Sequence, residues 1–150
     1  MNPNNHIILI VEDDPYDSDL IFRAIQKARI SNPVQTVADG AAAIAYLAGD
    51  PPYTDRGKYP LPQILLLDLK LPKKDGFEVL QWVRSQPKLK RLPVVMLTSS
   101  SETPDINRAY DLGANSYLVK PVGTEALVDM LKRVKVYWLI TNTKPDLDAD

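Results

Sequence analysis

The stretch ILLLDLKLPKKDG, residues 64–76, decides the fold. Four consecutive apolar residues, Ile64 to Leu67, suit a short strand buried on both faces. The run stops on an acid, Asp68. The Asp75-Gly76 pair then marks a turn, and residues 77–84 read as a helix. Working outward, the same strand-then-helix order recurs. Upstream, IILIV (7–11) is a second fully apolar strand, ending at Glu12-Asp13-Asp14. Asp14 followed by Pro15 is a good helix entry, with Asp14 as the cap and Pro15 at the first helical position. Leu20, Ile21, Ala24, Ile25 and Ala28 continue at helical spacing. Residues 34–38 form a weaker strand, Asp39-Gly40 a turn, and 41–48 a short helix ended by Gly49. Residues 49–63 hold four of the chain's 13 prolines and read as a long loop. Downstream come a strand over 93–97 ending at Thr98, a helix over 104–112, and a strand over 116–119 ending at Lys120-Pro121. A long final helix runs from 124 to about 142. The domain therefore spans 1–143, and 144–150 is expected to be a frayed tail.

Five strands alternating with five helices predict a doubly wound α/β fold around a parallel sheet. In such sheets ligands bind beyond the carboxyl ends of the strands. Those ends carry the polar residues of interest here: Glu12, Asp13 and Asp14, then Asp68, then Thr98 and Ser99, then Lys120.

Composition narrows the chemistry. A chain of 150 residues makes one domain. With 18 Lys and Arg against 19 Asp and Glu, the net charge of −1 supplies no bulk basic field for nucleic acid. There is no Cys, which excludes disulfides, thiolate zinc sites and cysteine nucleophiles, and the one His excludes a site needing two imidazoles. No apolar run approaches a membrane span, and MNPNNH lacks the features of a signal peptide, so the expected compartment is the cytoplasm.

Asp13 and Asp68, at the ends of adjacent central strands, would repel one another unless neutralised. A hard divalent cation such as Mg²⁺ resolves that repulsion. A carboxylate beside Mg²⁺ can attack phosphorus, and the Lys120 ammonium and Thr98 hydroxyl suit the transferring phosphoryl oxygens. Taken singly, a strand-end Thr is usually a cap and a Lys before Pro is usually a surface residue. The combination at three strand ends is what points to a site. No G-x-x-x-x-G-K-[ST] or G-x-G-x-x-G loop is present. The D-x-D of haloacid-dehalogenase-type phosphatases is also missing, because Lys70 follows Asp68 by two and Pro15 follows Asp13 by two.

The motifs ILIVEDDP, ILLLDLKLPKKDG, PVVMLTSS and LGANSYLVKP, in that order, resemble the receiver domains of two-component response regulators from about Ile7 to Leu139. The resemblance implies a flavodoxin-like, CheY-like fold with strand order 2-1-3-4-5 and Asp68 as phosphoacceptor. It implies Mg²⁺ held by Asp13, Asp68 and the Lys70 backbone carbonyl, with Glu12 acting mostly through water. It implies that Thr98 binds a phosphoryl oxygen and moves on activation, that Lys120 pairs with the phosphate, and that the Lys120-Pro121 bond is cis. Tyr117 stands at the aromatic switch position; by its own pattern it reads only as a half-buried strand aromatic. The loop 49–63, the KLKRLPVVMLT stretch and the terminal YWL look like the small regulators partnered with cyanobacterial phytochrome histidine kinases. That similarity implies a red-light-sensitive kinase as phosphodonor, no direct nucleic-acid or membrane partner, and catalysis only of the protein's own phosphorylation and dephosphorylation. Lys70 departs from the many receivers with a neutral side chain there, and its ammonium could reach the phosphoryl group or crowd the attacking water. Leu127, Leu131, Val134 and Leu139 line one side of the last helix, and Val136, Tyr137 and Ile140 add a second apolar surface that is either a broad core face or, the reading that interface aromatics favour, a homodimer contact. The alternative function is a receiver-fold interaction module that signals without phosphate.

Overall fold

A computed structural model describes residues 6–148. Five strands, β1 (Ile8–Val11), β2 (Val34–Val37), β3 (Ile64–Leu67), β4 (Val94–Thr98) and β5 (Ser116–Val119), form one parallel sheet in the order β2-β1-β3-β4-β5. The helices are α1 (Pro15–Lys27), α2 (Gly40–Ala48), α3 (Gly76–Ser85), α4 (Thr103–Asp111) and α5 (Thr124–Val134).

Strand alternation sorts side chains onto two faces. Leu9, Val11, Leu65, Leu67, Val94 and Met96 point into the cluster covered by α2, α3 and α4. Ile8, Ile10, Ile64, Leu66, Val95 and Leu97 point into the one covered by α1 and α5. This is why ILIV and ILLL are apolar without interruption.

The register sets the site. Val11 lies opposite Leu67, and Thr98 opposite Val119. Glu12 and Asp68 therefore leave the sheet side by side, with the Asp68 N–H donating to the Val11 carbonyl at 3.2 Å. One step along, the Lys120 N–H donates to the Thr98 carbonyl at 2.7 Å. Asp14 caps α1 by accepting from the N–H groups of Tyr16 and Asp17.

Three features differ from the sequence reading. The final helix is not α-helical to residue 142. It is an α-helix to Val134 and a π-helical segment over Lys135–Thr141. The wider turn sets Trp138 and Leu139 against the cluster shared with α1, and leaves Val136, Tyr137 and Ile140 exposed. The Lys120-Pro121 bond is trans, and the cis bond among the described residues is Pro51-Pro52. Trans is the lower-energy form for X–Pro, and it already delivers the Lys120 side chain to the strand ends. The expected frayed tail begins at Lys144. Residues 144–148 lie against the body, with Lys144 Nζ 2.8 Å from His6 Nδ1, Arg91 donating to the Asp146 carbonyl, and Leu147 packed on the core. Ala149 and Asp150 lie outside the described residues.

The long loop over 49–63 is pinned. Tyr53 and Tyr59 pack their rings on buried Tyr46, and Arg56 donates to the Tyr46 and Leu47 carbonyls at the end of α2. No described helix is long and apolar enough to cross a membrane.

Candidate functional site

Glu12, Asp13 and Asp68 bring one carboxylate oxygen each to within 4.8 Å of one another. Glu12 and Asp68 are buried, and Asp13 is exposed. This places the three predicted acids in one group, with Glu12 a direct neighbour of Asp68. Lys120, from the end of β5, enters the same group. Its ammonium donates to Glu12 Oε1 and, at 3.0 Å, to Asp68 Oδ2. Asp68 Oδ1 accepts from the Leu69 N–H at 2.7 Å, which fixes the carboxylate plane.

Thr98 is fully buried at the end of β4. Its hydroxyl lies close enough to Asp68 to favour the charged carboxylate, yet it makes no hydrogen bond of ordinary geometry. Thr98 thus places a buried hydroxyl beside the Asp68 carboxylate.

The electrostatics separate the two buried acids. Burial pushes Glu12 up to about 7, helped by the nearby Asp68 charge and opposed by Lys120. Burial also raises Asp68, but the Thr98 hydroxyl and the Lys120 ammonium outweigh it and hold this carboxyl below its ordinary value. Burial alone would lower the Lys120 ammonium; Glu12 and Asp68 outweigh that and hold it above its usual range. Asp68 is thus held ionised, and Glu12 is the acid of the pair that ionises at the higher pH.

Lys70 sits in the loop after β3 with its side chain exposed, and no ion pair holds its ammonium among the described residues. Tyr117 is half-buried on β5 and donates its hydroxyl to the Ser100 carbonyl, in the loop after Thr98, at 2.9 Å. Tyr117 and the loop after Thr98 are therefore tied together. His6 lies at the opposite end of the sheet, near Gln63, as its position ahead of the first strand implies.

Two contributors escaped the sequence reading. Gly76 opens α3 where a Cβ would come within 2.2 Å of the Asp68 carbonyl, so only glycine lets the helix approach the β3 end. The Asp75-Gly76 pair read there only as a turn. Asp17 places a third carboxylate near Lys120, with Oδ2 3.5 Å from Nζ; an acid in a first helical turn carries no signal that distinguishes it from an ordinary dipole partner.

The donor chemistry fits a hard divalent cation: three carboxylates converge, and nothing softer than oxygen is present. A doubly wound sheet with a buried Asp at the third strand end, an acid group beside it, and a Thr and a Lys on the next two strands defines a receiver. The chain belongs to the response regulator receiver domain family, whose sequence model matches residues 8–132. Among its relatives, the response regulator Rcp1 of Synechocystis is 40% identical over 139 residues, covering 93% of this chain and 92% of Rcp1. A probable methanogenesis regulatory protein, FilR2 of Methanothrix harundinacea, is also 40% identical over 139 residues, covering 93% and 87%. The crystal structure of the phosphorylated cyanobacterial phytochrome response regulator RcpA superposes with a TM-score of 0.87 at 40% identity, covering 95% of this chain and 99% of RcpA. Rcp1 has also been crystallised with Mn²⁺ bound, and that structure superposes with a TM-score of 0.84.

Proposed function

We propose that this protein is a cytoplasmic response regulator that takes a phosphoryl group on Asp68 from a phytochrome-type histidine kinase. The observation that carries the reading is the pairing of an Asp68 carboxyl held ionised with a Lys120 ammonium 3.0 Å away, inside the acid group. An Asp68 oxygen attacks the phosphorus of a phosphohistidine. The new O–P bond forms as the P–N bond breaks, and the electron pair leaves with the imidazole nitrogen. Asp13, Asp68 and the Lys70 carbonyl, with Glu12 beside them, would hold a Mg²⁺ ion, which would supply charge neutralisation for the phosphoryl oxygens. Lys120 and the buried Thr98 hydroxyl bind those oxygens once transfer has occurred. Movement of Thr98 pulls on the loop that Tyr117 grips through Ser100, which links Asp68 to the face made by α4, β5 and α5.

RcpA is a cyanobacterial phytochrome response regulator and AtBRR a bacteriophytochrome response regulator, and the likeness of this chain to both supports the choice of kinase. The protein acts on no external substrate; it catalyses only its own phosphorylation and dephosphorylation. The exposed Val136, Tyr137 and Ile140 on the π-helical segment support a homodimer through the last helix region. The test is phosphotransfer from an autophosphorylated phytochrome histidine kinase, with light scattering alongside. Label should pass to the wild type and not to Asp68→Asn. Label retained on the kinase would favour a module that signals without phosphate.

A further inference from the structure

Three carboxylates surround the Lys120 ammonium, not two. Glu12 and Asp68 come from the ends of β1 and β3, and Asp17 comes from the first turn of α1, 3.5 Å from Nζ. Asp17 does not belong to the oxygen group that converges for a cation, which is made by Glu12, Asp13 and Asp68. Its side chain is also more open, at 39% exposure against 2% for Glu12 and 10% for Asp68. Other acids near the start of α1 are committed elsewhere. Asp14 caps the helix and Asp19 pairs with Arg23 at 2.9 Å. Among the described residues, the charged partner of Asp17 is Lys120.

We propose that Asp17 is a positioning residue for Lys120, the carboxylate onto which the ammonium retreats when a divalent cation takes Glu12 and Asp68. The inference rests on the metal-dependent receiver reading of this site. An ammonium and a divalent cation repel each other across a shared carboxylate. Lys120 must therefore yield for the metal to enter, yet its side chain is only 15% exposed and cannot simply move into bulk water. Asp17 and Asp68 both already lie within 3.5 Å of Nζ, so the shift between them needs only a side-chain rotation. Asp17 thereby removes a competitor from the metal site and keeps the ammonium at its rim, in reach of an incoming phosphoryl group.

The test is calorimetric titration of the full chain with Mg²⁺ at fixed pH. Asp17→Asn should weaken binding about three- to fivefold, as expected for a partly exposed ion pair. Asp17→Glu should restore affinity to within twofold, and Asp19→Asn, an equal charge change on the same helix, should leave it unaltered. In a Lys120→Met background, Asp17→Asn should have less than a twofold effect, because there is no ammonium left to place. An Asp17→Asn affinity within twofold of wild type overturns the proposal. So does an equal loss with and without Lys120, which would mean Asp17 acts directly on the cation. If Lys120→Met does not fold by circular dichroism, the contrast between Asp17→Glu and Asp19→Asn decides. A wild type that takes up no Mg²⁺ would overturn the receiver reading itself, a result distinct from normal Mg²⁺ binding that ignores Asp17.

Discussion

At the starts of the strands, Arg84 donates to the Leu92 carbonyl at 2.8 Å, to the Gly113 carbonyl at 2.9 Å and to the Asn115 side chain at 2.8 Å. At their ends, Lys120 faces three carboxylates that must share one ammonium. Both are long cationic side chains, Arg84 reaching from α3 to the strand starts and Lys120 standing just past the end of β5, and they behave differently. Arg84 neutralises backbone oxygens that would otherwise be left over where β4 and β5 begin, and Asn115 completes the set by pairing with both backbone groups of Val94. Lys120 joins a group with more negative charge than it can neutralise, next to the buried Thr98 hydroxyl. The lower end is nearly closed as hydrogen-bond accounting goes; one amide nitrogen, Gln63 Nε2, stays unpaired there, at the rim of a cavity of about 540 Å³. The upper end leaves charge and donors open, which is where a cation and a phosphoryl group can be received. Local conflict of this kind in an otherwise consistent fold marks the working end.

If the contrast is right, substitutions at the Arg84 end should disturb stability alone, and those at the Asp68 end should disturb cation and phosphoryl handling. Arg84→Ala strands several half-buried carbonyls and should cost about 4 kcal/mol of stability in urea unfolding. Mg²⁺ affinity of the folded fraction should not change. Gly76→Ala forces a Cβ toward the Asp68 carbonyl and should cost about 3 kcal/mol. Unlike Arg84→Ala, it should also weaken Mg²⁺ binding, because it moves the acid.

The third expectation concerns pH. The folded Glu12 value, about 7, lies above the ordinary 4.5. Its contribution to the metal-free fold is therefore fully present below pH 4.5 and is lost as pH rises through 7. A cation needs the ionised form, so apparent Mg²⁺ affinity should rise about tenfold from pH 6 to pH 8 and then level off. Titrations in buffers of different ionisation enthalpy should show proton release on binding. The smallest effect is Thr98→Val, which replaces the buried hydroxyl beside Asp68 by a methyl. It should shift stability by less than about 1 kcal/mol, seen as a nearly unchanged Tm, while slowing phosphoryl transfer. A large loss of stability there would erase the contrast between the ends.

Much of this was legible in the sequence. ILIV and ILLL announced strands buried on both faces, and the acids that stop them fell where the fold places ligands. Asp14-Pro15 marked a helix start that the structure keeps. Other features were not legible, for physical reasons. Asp17 and Lys120 are separated by over one hundred residues and meet only through the strand register. Gly76 is required by a close approach of α3 to β3, which no local pattern encodes. The π-helical turn over Lys135–Thr141 sets Trp138 and Leu139 on the core, and an apolar helical spacing reads the same in either form.

The most direct test of the open upper end is intact mass after incubation with acetyl phosphate and Mg²⁺. Wild-type protein should gain one phosphoryl group, with no gain when Mg²⁺ is chelated and none in Asp68→Asn. An equal gain in Asp68→Asn, or no gain in wild type with Mg²⁺ bound, would contradict the assignment of Asp68 as the phosphoacceptor.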